Sequence, residues 1–376
     1  VGKNLDIRDI GRLRIRNQRM VGTTFTSAKE VVGWLGAVQS QEYQIAKWSL
    51  GMRSLALTDA DVDRALANGE ILRTHILRPT WHFVLPTDIR WMMALTGPRI
   101  AARMRPTLGF PMPEEHDMRR ALEALGDALA GGRRMTRTQV ALLLQDRGFM
   151  ENRSHLVAIL IRAELDLVIV SGGLEGKTQT YASAEERAPR TPTDNADEDR
   201  DWALAELTRR YFTSHGPATI GDFAWWSGLT VADTKRGLSI NGAALEQLNV
   251  DGTEYWWAGD SSGPETKDDP SPSIHLLQGY DEYLVSYKSP RTPINLAGLA
   301  TPGLLVRPPL LHALILDSQA IGYWRRVAAE RGYTIETKLL RNLSGAERSA
   351  LAAAVDRYAA FVGRPVQLLG EPTTIA

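Results

Sequence analysis

Apolar positions along this chain fall in short runs at helical spacing. Each run is opened by a hydroxyl or amide residue, and pairs of runs are followed by strand-like segments. Ser27-x-x-Glu30 has the form of a capping box ahead of the apolar run 31–38, and Thr58-x-x-Asp61 opens a second helix that stops near Gly69. The stretch 71–85 comes next; Thr80-Trp81-His82-Phe83-Val84 within it is rich in β-formers, and two strands are expected. The order then repeats. Thr136-x-x-Gln139 opens 140–147 with Gly148 as its stop, and Asn152-Arg153-Ser154 starts a helix through Leu167. Strands are expected at 168–171 and 178–183, around a turn at Gly172-Gly173-Leu174-Glu175-Gly176. In the third instance Thr219-x-x-Asp222 and Thr230-x-x-Asp233 cap two helices joined at Gly228-Leu229, and 245–250 and 254–258 flank the hairpin turn Asp251-Gly252.

Helix, tight turn, helix and β-hairpin is the winged helix-turn-helix order. The expected fold class is therefore α+β: three such units in tandem, closed by a β-module and a terminal helix. The expected boundaries are 1–98 and 99–184 for the first two units, a Pro-, Thr- and acid-rich linker at 185–201, 202–258 for the third unit, a flexible linker at 259–273, and 274–376 for the β-module. Within that last region, strands are expected at 274–287, 304–316, 320–324 and 334–340, and an amphipathic helix at 345–362. Between Lys288 and Gly303, the residues Pro290, Arg291, Pro293 and Gly298 suggest a projecting hairpin tip of basic character.

Composition narrows the chemistry. A chain of 376 residues that is 43% hydrophobic has ample material for two or three folded cores. No stretch reaches the roughly 18 apolar residues of a membrane span, and the charged N-terminal segment has no apolar core behind it, so a cytoplasmic location is expected. Zero cysteines exclude disulfides, thiolate metal sites and cysteine nucleophiles; the seven histidines have no metal-ligand spacing, and no glycine-rich phosphate loop occurs. No metal and no cofactor are expected. Net charge is zero, yet Lys3, Arg8, Arg12, Arg14, Arg16 and Arg19 face only Asp6 and Asp9 in the first twenty residues, and Arg99, Arg103 and Arg105 form a second basic stretch. An overall neutral protein can still turn one basic face to a phosphate backbone.

Gln39-Ser40-Gln41 ends the apolar run of the first unit. Two amides one residue apart are poor core material, because each brings several donors and acceptors that must be satisfied. Positions i and i+2 diverge by about 200° on a helix and converge only in extended chain. If both amides serve one site, the helix must stop at or before Gln39.

Gln39-Ser40-Gln41, Ala46-Lys47-Trp48, Leu77-Arg78-Pro79-Thr80-Trp81-His82-Phe83 and Gly279-Tyr280-Asp281-Glu282-Tyr283 together resemble the AlkZ-like family of bacterial DNA glycosylases, over nearly the whole chain. The resemblance implies a C-shaped fold of tandem winged-helix units and a double-stranded DNA partner carrying alkylated or crosslinked guanine. It also implies hydrolysis of the N-glycosidic bond of N7-alkylguanine, including guanines in azinomycin-type interstrand crosslinks, in DNA repair and antibiotic self-resistance. Gln39 and Gln41 match the family's two catalytic glutamines, and 288–303 corresponds to its DNA-probing hairpin, where Lys288 and Arg291 are DNA-binding candidates. Arg78, His82, Tyr43 and Lys47 are further site candidates by position. With no evident Schiff-base lysine, a monofunctional and metal-independent enzyme is expected, nucleoid-associated when on DNA. The rival reading is a winged-helix transcriptional regulator without catalysis. It requires a recognition helix dense in base-reading side chains, and the third-unit helix offers Lys235 and Arg236 alone. Tyr280-Asp281-Glu282-Tyr283, lacking a second acid or metal partner nearby, reads as structural, and the pairs Trp225-Trp226 and Trp256-Trp257 as packing.

Overall fold

The computed structural model describes residues 5–108, 113–150, 152–190, 200–259, 272–288, 292–298, 312–369 and 373–374. α1 (Ile7–Asn17) begins at a capping box in which the Asp6 carboxylate accepts from the Arg8 and Asp9 amides. α2 (Ala28–Leu35) opens on the Ser27/Glu30 box, β1 (Ala37–Gln39) follows at once, and α3 (Tyr43–Gly51) and α4 (Asp59–Asn68) lead to β2 (Leu72–His75) and β3 (Trp81–Val84). These three strands form an antiparallel sheet in the order β1-β3-β2. α5 (Ile89–Leu108) runs without a break across the boundary expected at 98–99.

α6 (Glu115–Leu129), β4 (Arg134–Thr136), α7 (Arg137–Asp146), α8 (Arg153–Leu165), β5 (Ile169–Glu175) and β6 (Thr178–Ser183) build the next group, with sheet order β4-β6-β5. The glycines at 172 and 173 are not the turn. β5 continues through them with a register shift, because a Cβ on Gly172 would meet Thr180 Oγ1 at 2.6 Å and one on Gly173 would meet Ala67 Cα at 3.0 Å. They permit close approach of β6 and α4; the chain reverses at Gly176-Lys177 instead. The expected linker 185–201 is helical at both ends, in α9 (Ala184–Arg187) and from the first residue of α10 (Arg200–Ser214). α11 (Ile220–Ser227) and α12 (Val231–Asn241) both start at capping boxes and are joined through Gly228 at φ +72°. The two-stranded pair β7 (Glu246–Val250) and β8 (Thr253–Trp257) turns at Asp251-Gly252 as expected.

After β9 (Ile274–Leu277) the expected long strand ends, and α13 (Glu282–Val285) takes its place, capped by Asp281. β10 (His312–Leu316), β11 (Gln319–Ala329), β12 (Gly332–Leu339), β13 (Val366–Leu368) and β14 (Thr373–Thr374) complete a sheet ordered β13-β12-β11-β10-β9 with β14 beside β12; α14 (Gly345–Val362) packs against it. β11 and β12 form a long hairpin. Arg325 and the run 328–331 are exposed while 321–324 are buried, so the base is core and the outer half is free. The described part of 288–303 contains a single 3₁₀ turn, Thr292–Ile294, packed on α1, and no strand. Ile294 of that turn is buried, and the rest of the expected tip, 289–291 and 299–303, lies outside the described residues.

Two packing facts place the site. Val31, Leu35, Trp48 and Leu50 of the first group share one core with Leu276, Leu314, Trp324 and Tyr358, and Trp48 Nε1 donates to Leu276 O at 2.7 Å. The β-module is thus built onto the first group. Second, Arg14 is not part of a solvated basic face: it is 1 % exposed, donates to Pro217 O at 2.9 Å and lies 3.6 Å from Asp222.

Candidate active site

α2 ends where it does because Gly36 adopts φ +80°, a conformation that strongly favours glycine. The chain leaves as β1, with Gln39 opposite His82 on β3, and the ladder extends one residue further through Ser40 N–H to Trp81 O at 2.7 Å. Gln39 and Gln41 therefore lie in non-helical chain, and both amides reach the 78–81 segment. Arg78 Nη2 donates to Gln39 Oε1 at 2.8 Å, and the Trp81 backbone N–H points to Gln41 Oε1 at 3.4 Å. Because a guanidinium only donates, the first bond fixes which end of the Gln39 amide is oxygen. Gln39 is buried and Gln41 half-buried.

The backbone of the motif is held as firmly as its side chains. Arg73 donates to Ser40 O through Nε at 3.1 Å and Nη2 at 2.9 Å, and its Nη1 reaches Gln179 Oε1 of β6 at 2.8 Å. On the other side the Gln39 N–H donates to Glu282 Oε1 at 2.7 Å. Glu282 Oε2 accepts from Trp226 Nε1 at 3.0 Å and from the Ser286 hydroxyl, and lies 3.5 Å from His215 Nε2. Burial alone would raise the Glu282 carboxyl, but hydrogen bonds from His215 and Ser286 help hold it down at about 2, so it is ionised. Burial pushes His82 down to about 3, helped by the neighbouring Arg78 charge, so its ring is neutral. Ser40 Oγ, Arg78 Nε, Thr80 Oγ1 and His82 Nε2 are buried without a hydrogen-bond partner among the described residues. Such groups cost about 1–3 kcal/mol each, and four of them within this one strand pair and its connecting segment form a polar patch prepared for something other than its own protein.

Trp81 is held between the His75 ring, 4.4 Å away, and the Arg73 guanidinium at 4.6 Å from the ring centroid. His75 is anchored in turn by Glu164 of α8, which accepts from its Nδ1 at 2.5 Å and from its backbone N–H at 3.0 Å. Tyr43 and Lys47 are also placed. Tyr43 donates its hydroxyl to Asp63 at 2.5 Å, and burial keeps that phenol protonated. Lys47 is 1 % exposed and paired with Asp59 at 2.8 Å and Asp63 at 2.9 Å, so it ties α3 to α4. Lys288 is exposed, with its backbone N–H on Asp222 Oδ1 at 2.8 Å; Arg291 lies outside the described residues. From the residue after Gln41, a groove of about 440 Å³ is lined by Glu42, Tyr43, Gln44, Lys177, Gln179, His312 and Arg326; neither glutamine lines it. It brings the first group, the β5–β6 turn and the β11–β12 hairpin to one opening.

A family model described as DNA glycosylase AlkZ-like matches residues 32–361. The chain belongs to that family. An interstrand DNA cross-link repair glycosylase of Streptomyces sahachiroi is 23% identical over 343 residues, covering 86% of this chain and 88% of that protein. The solved structure of the Streptomyces sahachiroi DNA glycosylase AlkZ is similar in fold, with a TM-score of 0.75 at 19% identity, covering 98% of this chain and 100% of that one. In this AlkZ-like chain the residues that sequence reasoning does not single out are Arg73, His75 and Glu164, while Trp225, read there as packing, is exposed. Arg73 meets Ser40 across 33 residues and Glu164 meets His75 across 89, contacts for which spacing gives no signal. Glu282 was visible as part of a carboxylate pair, but not as the acceptor behind Gln39.

Proposed function

We propose that this AlkZ-like glycosylase hydrolyses the N-glycosidic bond of N7-alkylguanine in duplex DNA, with Gln39 and Gln41 positioning the attacking water. The observation that carries the reading is the convergence of two neutral amides on the 78–81 segment, with the carboxylate that touches Gln39, Glu282, committed to its backbone N–H. Amides do not titrate near neutrality and are poor general bases. Alkylation at N7 removes the need for one strong enough to drive a difficult departure. The C1′–N9 pair of electrons moves into a purine already cationic, which leaves neutral and needs no proton. Water adds at C1′ of an oxocarbenium-like centre and gives its proton to solvent. Gln39 Oε1 keeps a lone pair beyond the one Arg78 uses, and Gln41 Oε1 supplies another; held there, a water acts by proximity and orientation.

The wider reading is a tandem winged-helix protein gripping a duplex. Its support is the recurring order of two helices and two strands at α3–α4/β2–β3, α7–α8/β5–β6 and α11–α12/β7–β8. The β11–β12 hairpin, with Arg325, Arg326 and Arg331, is the projecting basic element nearest the groove. A crosslinked guanine resists extrusion because it is tied to the other strand, and the cross-link repair activity named for the Streptomyces sahachiroi relative supports including such lesions among the substrates. The enzyme is read as monofunctional and metal-independent.

The experiment is incubation with duplex carrying one N7-methylguanine, followed by alkaline cleavage at any abasic site, with and without EDTA. Wild type is expected to cut in both. The double variant Gln39→Ala/Gln41→Ala, folded by circular dichroism, should be slower by roughly 10²-fold or more; wild-type rates in that variant would end the proposal. A transcriptional regulator would give no cleavage at all, and a borohydride-trapped adduct would contradict simple hydrolysis.

A further inference from the structure

Beyond the two glutamines, we propose that Trp225 is the platform on which the alkylated purine stacks, which makes it a specificity-determining residue of this site. α11 delivers two adjacent indoles to Gln39 in different ways. Trp226 is fully buried and donates to Glu282, the carboxylate that holds the Gln39 N–H. Trp225, the next residue back, is 47 % exposed, an unusual position for so large an apolar ring. It is not loose. Its Nε1 donates to Val285 O at 3.0 Å, the same carbonyl that receives Arg78 Nη1 at 3.3 Å. The other end of the Arg78 guanidinium holds the Gln39 amide, so one guanidinium separates the ring from the proposed water-positioning group.

The polar edge of the indole is satisfied and its orientation fixed, while nearly half of the residue remains open to solvent. Arg78 Cζ lies over the ring at 5.8 Å from its centroid, a weak cation–π contact at the outer limit of range. Other aromatic rings around the glutamines are taken: Trp81 lies between His75 and Arg73, and Tyr43 is buried on Asp63. Trp202, also exposed, packs edge-on against Trp91. An electron-rich ring held one guanidinium away from Gln39 is chemically matched to a flat, positively charged base, which it binds better than a neutral one. N7-alkylguanine is such a base, and unmodified guanine is not.

This inference rests on the N7-alkylguanine reading above, and its test separates the two. Excision from duplex containing one N7-methylguanine is measured under varied DNA concentration for wild type, Trp225→Phe, Trp225→Leu and Trp225→Ala. Loss of a stacked base should raise KM about tenfold in the Leu and Ala variants, with kcat within a fewfold, while Phe stays near wild type. The Leu variant keeps an apolar cover over Arg78 and Val285, so it answers the question even if Ala disturbs folding. Leu equal to wild type, or a fall in kcat at unchanged KM, overturns the platform and leaves the substrate reading standing. No excision by wild type overturns both.

Discussion

Gln39 is held from two sides, by a cation on its side chain and an anion on its backbone. Arg78 spans Val285 O and Gln39 Oε1, a reach that uses the two ends of a planar guanidinium and that a lysine ammonium does not reproduce. Arg78→Lys is therefore expected to retain the charge yet lose the orientation, lowering kcat about tenfold with KM within twofold, since a positioning interaction acts on the reacting geometry. Unchanged kcat in the Lys variant would show that Arg78 serves the fold alone. Sequence made Gln39, Gln41 and Arg78 visible as residue types in suggestive neighbourhoods. What it did not reveal is that Lys47, equally suggestive, is consumed by Asp59 and Asp63.

At the scale of elements, the capping boxes at Ser27, Thr58, Thr136, Thr219 and Thr230 were legible because each is a local exchange of two hydrogen bonds over three residues. The decisive element, β1, is three residues long and carries no periodic signal of its own. It exists because Gly36 breaks α2 with a positive φ and because β3 offers an edge. Trp226 Cη2 and Met92 Cε stand 3.8 and 3.9 Å from where a Cβ on Gly36 would be, so space is not the obstacle; the backbone conformation is. Gly36→Ala should cost roughly 1–3 kcal/mol of stability through that strain, read as a lower urea midpoint with unchanged slope. An unaltered midpoint would mean that another contact sets the turn.

Over the whole molecule, the first group shares its core with the terminal β-module, although more than two hundred residues separate Trp48 from Leu276. This closure buries titratable groups, and the signs follow. Burial holds His82 and His275 down at about 3 and His312 at about 4 in the folded protein, each pushed further by a nearby arginine. In the unfolded chain they return to about 6.5. Their contribution to stability is fully present above that value and is lost as pH falls towards the folded values, with a slope of up to about 1.4 kcal/mol per pH unit for each histidine. Urea midpoints should decline from pH 6.5 to 4.5, and less steeply in His82→Asn; a flat profile would contradict the burial of these rings as neutral groups.

The sequence by itself determined the helix starts, two of the three helix-pair hairpins in detail, and which residues have the chemistry of a site, because those depend on interactions spanning a few residues. Tertiary structure decided the rest. It left the outer half of the β11–β12 hairpin exposed, turned 282–285 into a helix around buried Asp281 and Glu282, and separated Trp225 from Trp226 by exposure. In each case the deciding term is desolvation: which polar group is cut off from water, and what distant partner then satisfies it, is a property of the packed chain.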